Sequence, residues 1–122
     1  MSLHILGAPV VLRAAAVLTN AAVESTPYVL DSLSSDGRVM VYLDFTIGSL
    51  TNCIVTPKVL GPDGTYHTNT TPGALTMTAT GKYAFPFDAI GSKRITFDAI
   101  GTGTVTSSSL KITVQAATKV NR

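Results

Sequence analysis

The chain has 122 residues, 13% of them charged, with a formal net charge of +2. Its nine lysines and arginines are scattered and form no basic stripe of the kind that follows a phosphate backbone, which argues against nucleic acid as a partner. The single cysteine, Cys53, excludes an internal disulfide, and a chain of this length buries enough apolar surface to fold as one domain without one.

Met1 to Pro9 reads as an irregular arm. Ile5 to Val23 is mostly apolar, but Arg13 sits in its middle and Pro9 and Asn20 interrupt it. A charge at the centre of a membrane span costs about 3 kcal/mol on the insertion scale. Only His4 stands where a signal peptide would carry Lys or Arg. Neither a membrane span nor a secretory signal is therefore expected. Between Val10 and Thr19, the run Ala14-Ala15-Ala16 favours a helix, while Val10, Val11, Val17 and Thr19 favour a strand. The β character of the rest of the chain selects an extended segment. Its apolar residues exceed what an unprotected chain end usually carries. Residues 1–25 are therefore expected to be an N-terminal extended arm or docking segment. The candidate assembly interface is Val10, Val11, Leu12, Arg13, Val17 and Leu18, added as a strand to a neighbouring subunit's sheet or laid on another protein. Arg13 would face solvent or a partner's carboxylate. A chain beginning at Ser25 is expected to fold and to lose assembly.

After a turn at Asn20 to Ser25, Pro27-Tyr28-Val29-Leu30 reads as a short strand, and Asp36-Gly37 as a hairpin-type turn into the clearest strand of the chain. In Arg38 to Ile47, Val39, Val41, Leu43, Phe45 and Ile47 alternate with Met40, Tyr42, Asp44 and Thr46, a strict period of two. So apolar a face requires a second layer. Thr51 to Leu60 is the next strand, and Pro57 within it lacks an amide donor, which predicts an edge strand or a bulge there. Gly61-Pro62-Asp63-Gly64 is a turn, with Pro62 presetting φ and Gly64 accepting a positive one. Strands are expected again at Thr65 to His67, Ala74 to Thr80, Tyr83 to Asp88, Lys93 to Ile100 and Val105 to Val114, with Gly101-Thr102-Gly103 breaking the last pair. Six to eight short strands at this spacing predict an all-β, single β-sandwich or jelly-roll-like domain over 26–116, with a polar C-terminal tail at 117–122. Phe87-Asp88-Ala89-Ile90-Gly91 recurs as Phe97-Asp98-Ala99-Ile100-Gly101, read as two strand ends with the same packing needs.

No constellation for chemistry assembles from the sequence. His4 and His67 are far apart, and Asp31, Asp36, Asp44, Asp63, Asp88 and Asp98 are isolated. Asp88 and Asp98 would make a cation site only if their strands were neighbours. No Gly-x-Ser-x-Gly elbow serves a nucleophile, and no glycine-rich loop opens a helix to hold phosphate. Cys53, inside Cys53-Ile54-Val55, reads as a small core residue. The chain is therefore expected to be no enzyme and to need no cofactor and no metal. A carbohydrate-binding module would stack sugars on Tyr28, Tyr42, Tyr66 or Tyr83. A structural or assembly protein fits the low charge and the apolar segment.

One resemblance extends from about Tyr28 to Val114. It rests on the Arg38 to Thr46 strand, Gly48-Ser49-Leu50-Thr51-Asn52, Gly61-Pro62-Asp63-Gly64-Thr65-Tyr66, Thr80-Gly81-Lys82-Tyr83-Ala84-Phe85-Pro86-Phe87, Lys93-Arg94-Ile95 and Gly101-Thr102-Gly103-Thr104-Val105-Thr106. In these the chain resembles small β-sandwich virion structural proteins of tailed bacteriophages and prophages. The resemblance implies a virion location and capsid or other virion proteins as partners. A homo-oligomer is expected, and the scattered charges and the interrupted N-terminal segment set aside nucleic acid and membrane as partners. Capsid decoration, binding the outer shell and reinforcing subunit joints, is the expected role. A neck or tail adaptor is the alternative, and a carbohydrate-binding β-sandwich module a further one. No catalytic residue comes with the resemblance.

Overall fold

The computed structural model describes residues 2–30, 38–70 and 72–121. Among them are eleven strands and no helix: β1 (Ser2–Leu6), β2 (Val10–Ala16), β3 (Val23–Glu24), β4 (Tyr28–Val29), β5 (Arg38–Thr46), β6 (Leu50–Leu60), β7 (Tyr66–Thr68), β8 (Leu75–Met77), β9 (Gly81–Asp88), β10 (Arg94–Gly103) and β11 (Ser109–Asn121). They form two antiparallel sheets, a β-sandwich as the alternation of β5 predicts. The front sheet runs β9, β5, β11, with β2 and β1 following one another along the far flank of β11, β2 on Leu110–Val114 and β1 on Ala117–Asn121. In the back sheet β10 and β6 are the central pair, with β3 and β4 flanking β10, and β7 and β8 flanking β6.

The core lies between the sheets and takes every second residue of the long strands. Val39, Val41, Leu43 and Phe45 of β5 are buried, as are Leu110, Ile112 and Val114 of β11 and Cys53, Val55, Ile95, Phe97 and Ala99 behind them. Phe97 of the back sheet meets Phe85 and Phe87 of the front sheet edge to face, at ring centroid distances of 6.3 and 5.8 Å. The two copies of the Phe-Asp-Ala-Ile-Gly pentapeptide thus share their first residue's role and then diverge. One turns at Gly91, where φ is +96°, and the other continues along β10.

Three local expectations change. Gly101-Thr102-Gly103 does not break β10. The strand runs through it, and the register shifts only between Thr102 and Gly103. Pro57 sits in a central strand, paired across β10 with Phe97. Its missing donor costs nothing because its other flank is the gap between β8 and β7, where its carbonyl accepts the Asn69 amide at 2.9 Å. The tail expected at 117–122 is strand as far as Asn121, paired with β1. The turn read at Asp36-Gly37 lies outside the described residues. The strands on either side of it, β4 and β5, belong to different sheets.

Candidate functional site

The N-terminal segment is extended, and it is seated on its own chain. β2 pairs with β11 from Leu110 to Val114, through two shifts of register. Leu12 and Leu18 point inward and are 4% and 1% exposed, so two members of the candidate interface are core. Leu18 is locked in place: its Cβ lies against Gly101, where an added methyl would approach to 3.2 Å. The Gly101 amide donates to Thr19 O at 2.8 Å, and Asn20 Nδ2 donates to Gly101 O and Gly103 O. Arg13 does not await a partner's carboxylate. Its Nε donates to Leu110 O at 3.1 Å, and an Nη donates to Ala16 O and Val17 O, so the guanidinium fills the bulged seam of β2. The Leu12 carbonyl accepts both the amide and the hydroxyl of Thr26. Bulges, a half-buried arginine bonded to the chain's own carbonyls and a capped carbonyl blunt an edge against strand addition. What remains available of the predicted interface is side-chain surface: Val10, Val11 and Val17, 41–50% exposed.

The outer face of the front sheet is a second candidate. Registers across β11, β5 and β9 stack four rows. Lys111, Asp44 and Lys82 form the first, Thr113, Tyr42 and Ala84 the second, and Gln115, Met40 and Pro86 the third. Arg38 and Asp88 form the fourth, paired at 3.8 Å. Tyr42 and Met40 are exposed at its centre. A shallow cleft of about 260 Å³ runs beside Tyr42 between Asp44, Lys82 and Lys111.

A larger cleft, about 420 Å³, opens at one end of the sandwich, between the β6–β7 turn and the turn after β9. Its walls include Pro62, His67, Asn69, Ile90 and Ser92. The polar groups here are engaged within the chain. His67 Nε2 lies 3.2 Å from Asp63 Oδ1 and 3.3 Å from Thr65 Oγ1. Ser92 Oγ donates to Leu60 O and Arg94 O, and Asp88 Oδ1 accepts the Ile90 amide. The His67 ring rests on Gly61, where a Cβ would come within 2.5 Å of it. The Thr65 amide, with help from His67 and the Thr65 hydroxyl, holds the Asp63 carboxyl down at about 2. This is a braced hairpin turn, with no nucleophile and base set toward a common point.

The remaining sequence candidates do not converge. Asp88 is on β9 of the front sheet and Asp98 on β10 of the back sheet, so the two carboxylates share no face. Asp98 is bound instead to Lys58 of the adjacent strand β6, at 2.6 Å. No group of three or more metal-ligating side chains occurs among the described residues. Burial lifts the Cys53 thiol to about 11, against a smaller opposing pull from Arg13. Of the four tyrosines, Tyr28 and Tyr83 pack against the core, Tyr83 donating its hydroxyl to Ala79 O at 2.6 Å. Tyr66 is half-buried, and Tyr42 alone of the four stands exposed. The sequence shows that Tyr42 points away from the core. It does not show Lys82, Lys111 and Pro86 beside it, because that grouping depends on pairings between segments tens of residues apart.

No family model matches the chain, and no curated protein matches it. Among solved structures, the fold is similar to the PBSX exported protein XepA, with a TM-score of 0.64 at 12% identity over 95% of this chain. The chain spans 38% of the length of XepA. It is also similar to the SPBc2 prophage-derived protein YomS, with a TM-score of 0.56 at 15% identity, covering 93% of this chain and 95% of that one. A looser likeness, TM-score 0.45 at 11% identity, is to the CBM22-1 xylan-binding domain of Paenibacillus barcinonensis Xyn10C. At these identities the likeness to XepA and YomS shows a shared fold.

Proposed function

We propose that the chain is a non-enzymatic structural protein of a phage virion, and that it decorates the capsid as a homo-oligomer. The observation that carries this reading is the match of nearly the whole chain to nearly the whole of a prophage-derived protein, YomS. The surface supports it. The β2 rim offers Val10, Val11 and Val17, and the front sheet offers Met40 and Tyr42, apolar groups on a rigid frame. A decoration protein adds buried side-chain contacts across the joints of a shell. Several copies at one site give avidity without any strong single contact. Because the β2 edge is blunted, its contact with the shell is through side chains and not through an added strand. A neck or tail adaptor is the alternative role on the same surface. A sugar-binding role is less well supported, since the tyrosines provide one exposed ring and no platform.

The test mixes the purified chain with heads and, separately, with tails of the phage that encodes it, each prepared without this protein. Saturable co-sedimentation with heads, and a higher temperature for shell disruption, are expected. Binding to tails alone would select the adaptor role, and binding to neither would end the proposal.

A further inference from the structure

The front sheet's outer face has a charge pattern that fits its own copy. We infer that two chains associate through this face about a two-fold axis that crosses β5 at right angles above Val41. Such an axis lays β5 on β5 of the second copy in opposite directions. It sets the first row over the fourth and the second over the third, by the registers of β5 with β9 and β11. Asp44 then stands over Arg38 of the second copy, Lys82 over its Asp88, and Tyr42 over its Met40. Each contact occurs twice, as an isologous interface requires.

Alternative occupancies of the same face are worse. A two-fold along the strand would set Asp44 over Asp44 and Lys111 over Lys82, which places like charges in contact. The perpendicular axis opposes unlike charges at both ends of the face and leaves the apolar pair in the middle. A thioether against a tyrosine ring is itself a favourable contact. The cleft beside Tyr42, bounded by Asp44, Lys82 and Lys111, is where the long Arg38 side chain of the second copy would enter. Asp44, Lys82 and Lys111 make no ion pair with one another. Val11, opposite Thr113 on β2, extends the apolar row toward the sheet's flank.

Size sets the strength. Four rows about 7 Å apart, on strands about 4.8 Å apart, cover a few hundred Å² on each partner. That is at the small end of specific interfaces, so the dimer is reversible and depends on concentration. The inference deepens the homo-oligomer in the function proposed above and rests on it only for that oligomer. Its test needs no phage particle, so a chain that dimerises without binding heads separates the two.

The experiment is sedimentation equilibrium of the full chain over a broad concentration series. The wild type is expected to pass from monomer to dimer. Tyr42→Asp, at an exposed position with an unchanged melting temperature, should stay monomeric. Asp44→Arg and Arg38→Asp should each weaken the dimer at least tenfold, and the double variant should recover it, because the swap restores the opposed pair on both sides of the axis. A wild type that remains monomeric would overturn the inference. So would a dimer indifferent to Tyr42→Asp and Asp44→Arg, or a double variant no better than the singles.

Discussion

Asp63 shows how much one exposed side chain can fix when the backbone beside it is arranged to receive it. Its carboxylate accepts the Thr65 amide at 3.1 Å and faces the His67 ring, and these contacts are stronger with the charged form. The carboxyl is lowered from 3.8 to about 2, so its contribution to stability is present above pH 3.8 and is lost as the pH falls through 2. Asp63→Asn should therefore melt lower than the wild type above pH 4, with the gap closing toward pH 2. A gap that stays constant over that range would show that the charge plays no part. Because the site is open to solvent, the gap is expected to be small. The turn itself was legible, since Gly-Pro-Asp-Gly names its own geometry. The seat of His67 on Gly61 was not, because nothing in a glycine announces which ring will lie on it. Cys53 was legible too, from its apolar neighbours. With burial raising the thiol to about 11, it should resist a disulfide reagent at pH 8 in the folded protein and react at once in urea.

At the scale of elements, β5 could be read outright. Its alternation is strict, and burial follows it residue by residue. β2 could be read only as extended. Its partner strand, β11, lies about a hundred residues away, and its register shifts twice, so no local period reveals that Leu12 faces in while Val10 and Val11 face out. Hence the segment looked like an arm in search of a neighbour, while its leucines were already placed in the core. Ser25 is a related case. It breaks the flank of β10 into β3 and β4, and its amide and hydroxyl take over the ladder at Phe97. That substitution of a side-chain oxygen for a backbone carbonyl leaves no pattern in a sequence. The consequence is testable. Leu18→Ala should cost about 2–5 kcal/mol, because the space over Gly101 cannot collapse onto a backbone already held by Thr19 and Asn20. A chain beginning at Ser25 loses Leu12, Leu18 and three strands, β1, β2 and β3, together. Against a total stability of about 5–15 kcal/mol, that removal should leave no cooperative unfolding transition. A truncated chain that melts cooperatively near the wild-type temperature would return the segment to the status of an arm.

For the whole molecule, the two sheets are one cooperative unit because no single sheet can cover its own apolar face. β11, the last strand, holds β1, β2 and β5 together, so the first and last segments close the front sheet on each other. The segment from Thr19 to Val29 then crosses to the back sheet and pairs along β10. Between the layers, Phe97 bears on Phe85 and Phe87, one residue of the back sheet against two of the front. Phe97 is fully buried, so truncating it removes ring contacts from both layers at once. Phe97→Ala should cost about 3–5 kcal/mol. The loss should appear as one shift of midpoint, with far-ultraviolet circular dichroism and tyrosine fluorescence moving together. Coincident curves are what a two-state unit requires. The tyrosines make the comparison informative, because Tyr42 and Tyr83 report from the front sheet and Tyr28 and Tyr66 from the back. If the variant instead gave two separated transitions, the front sheet would have to be stable with its apolar face uncovered, and the sandwich core would not be the source of cooperativity.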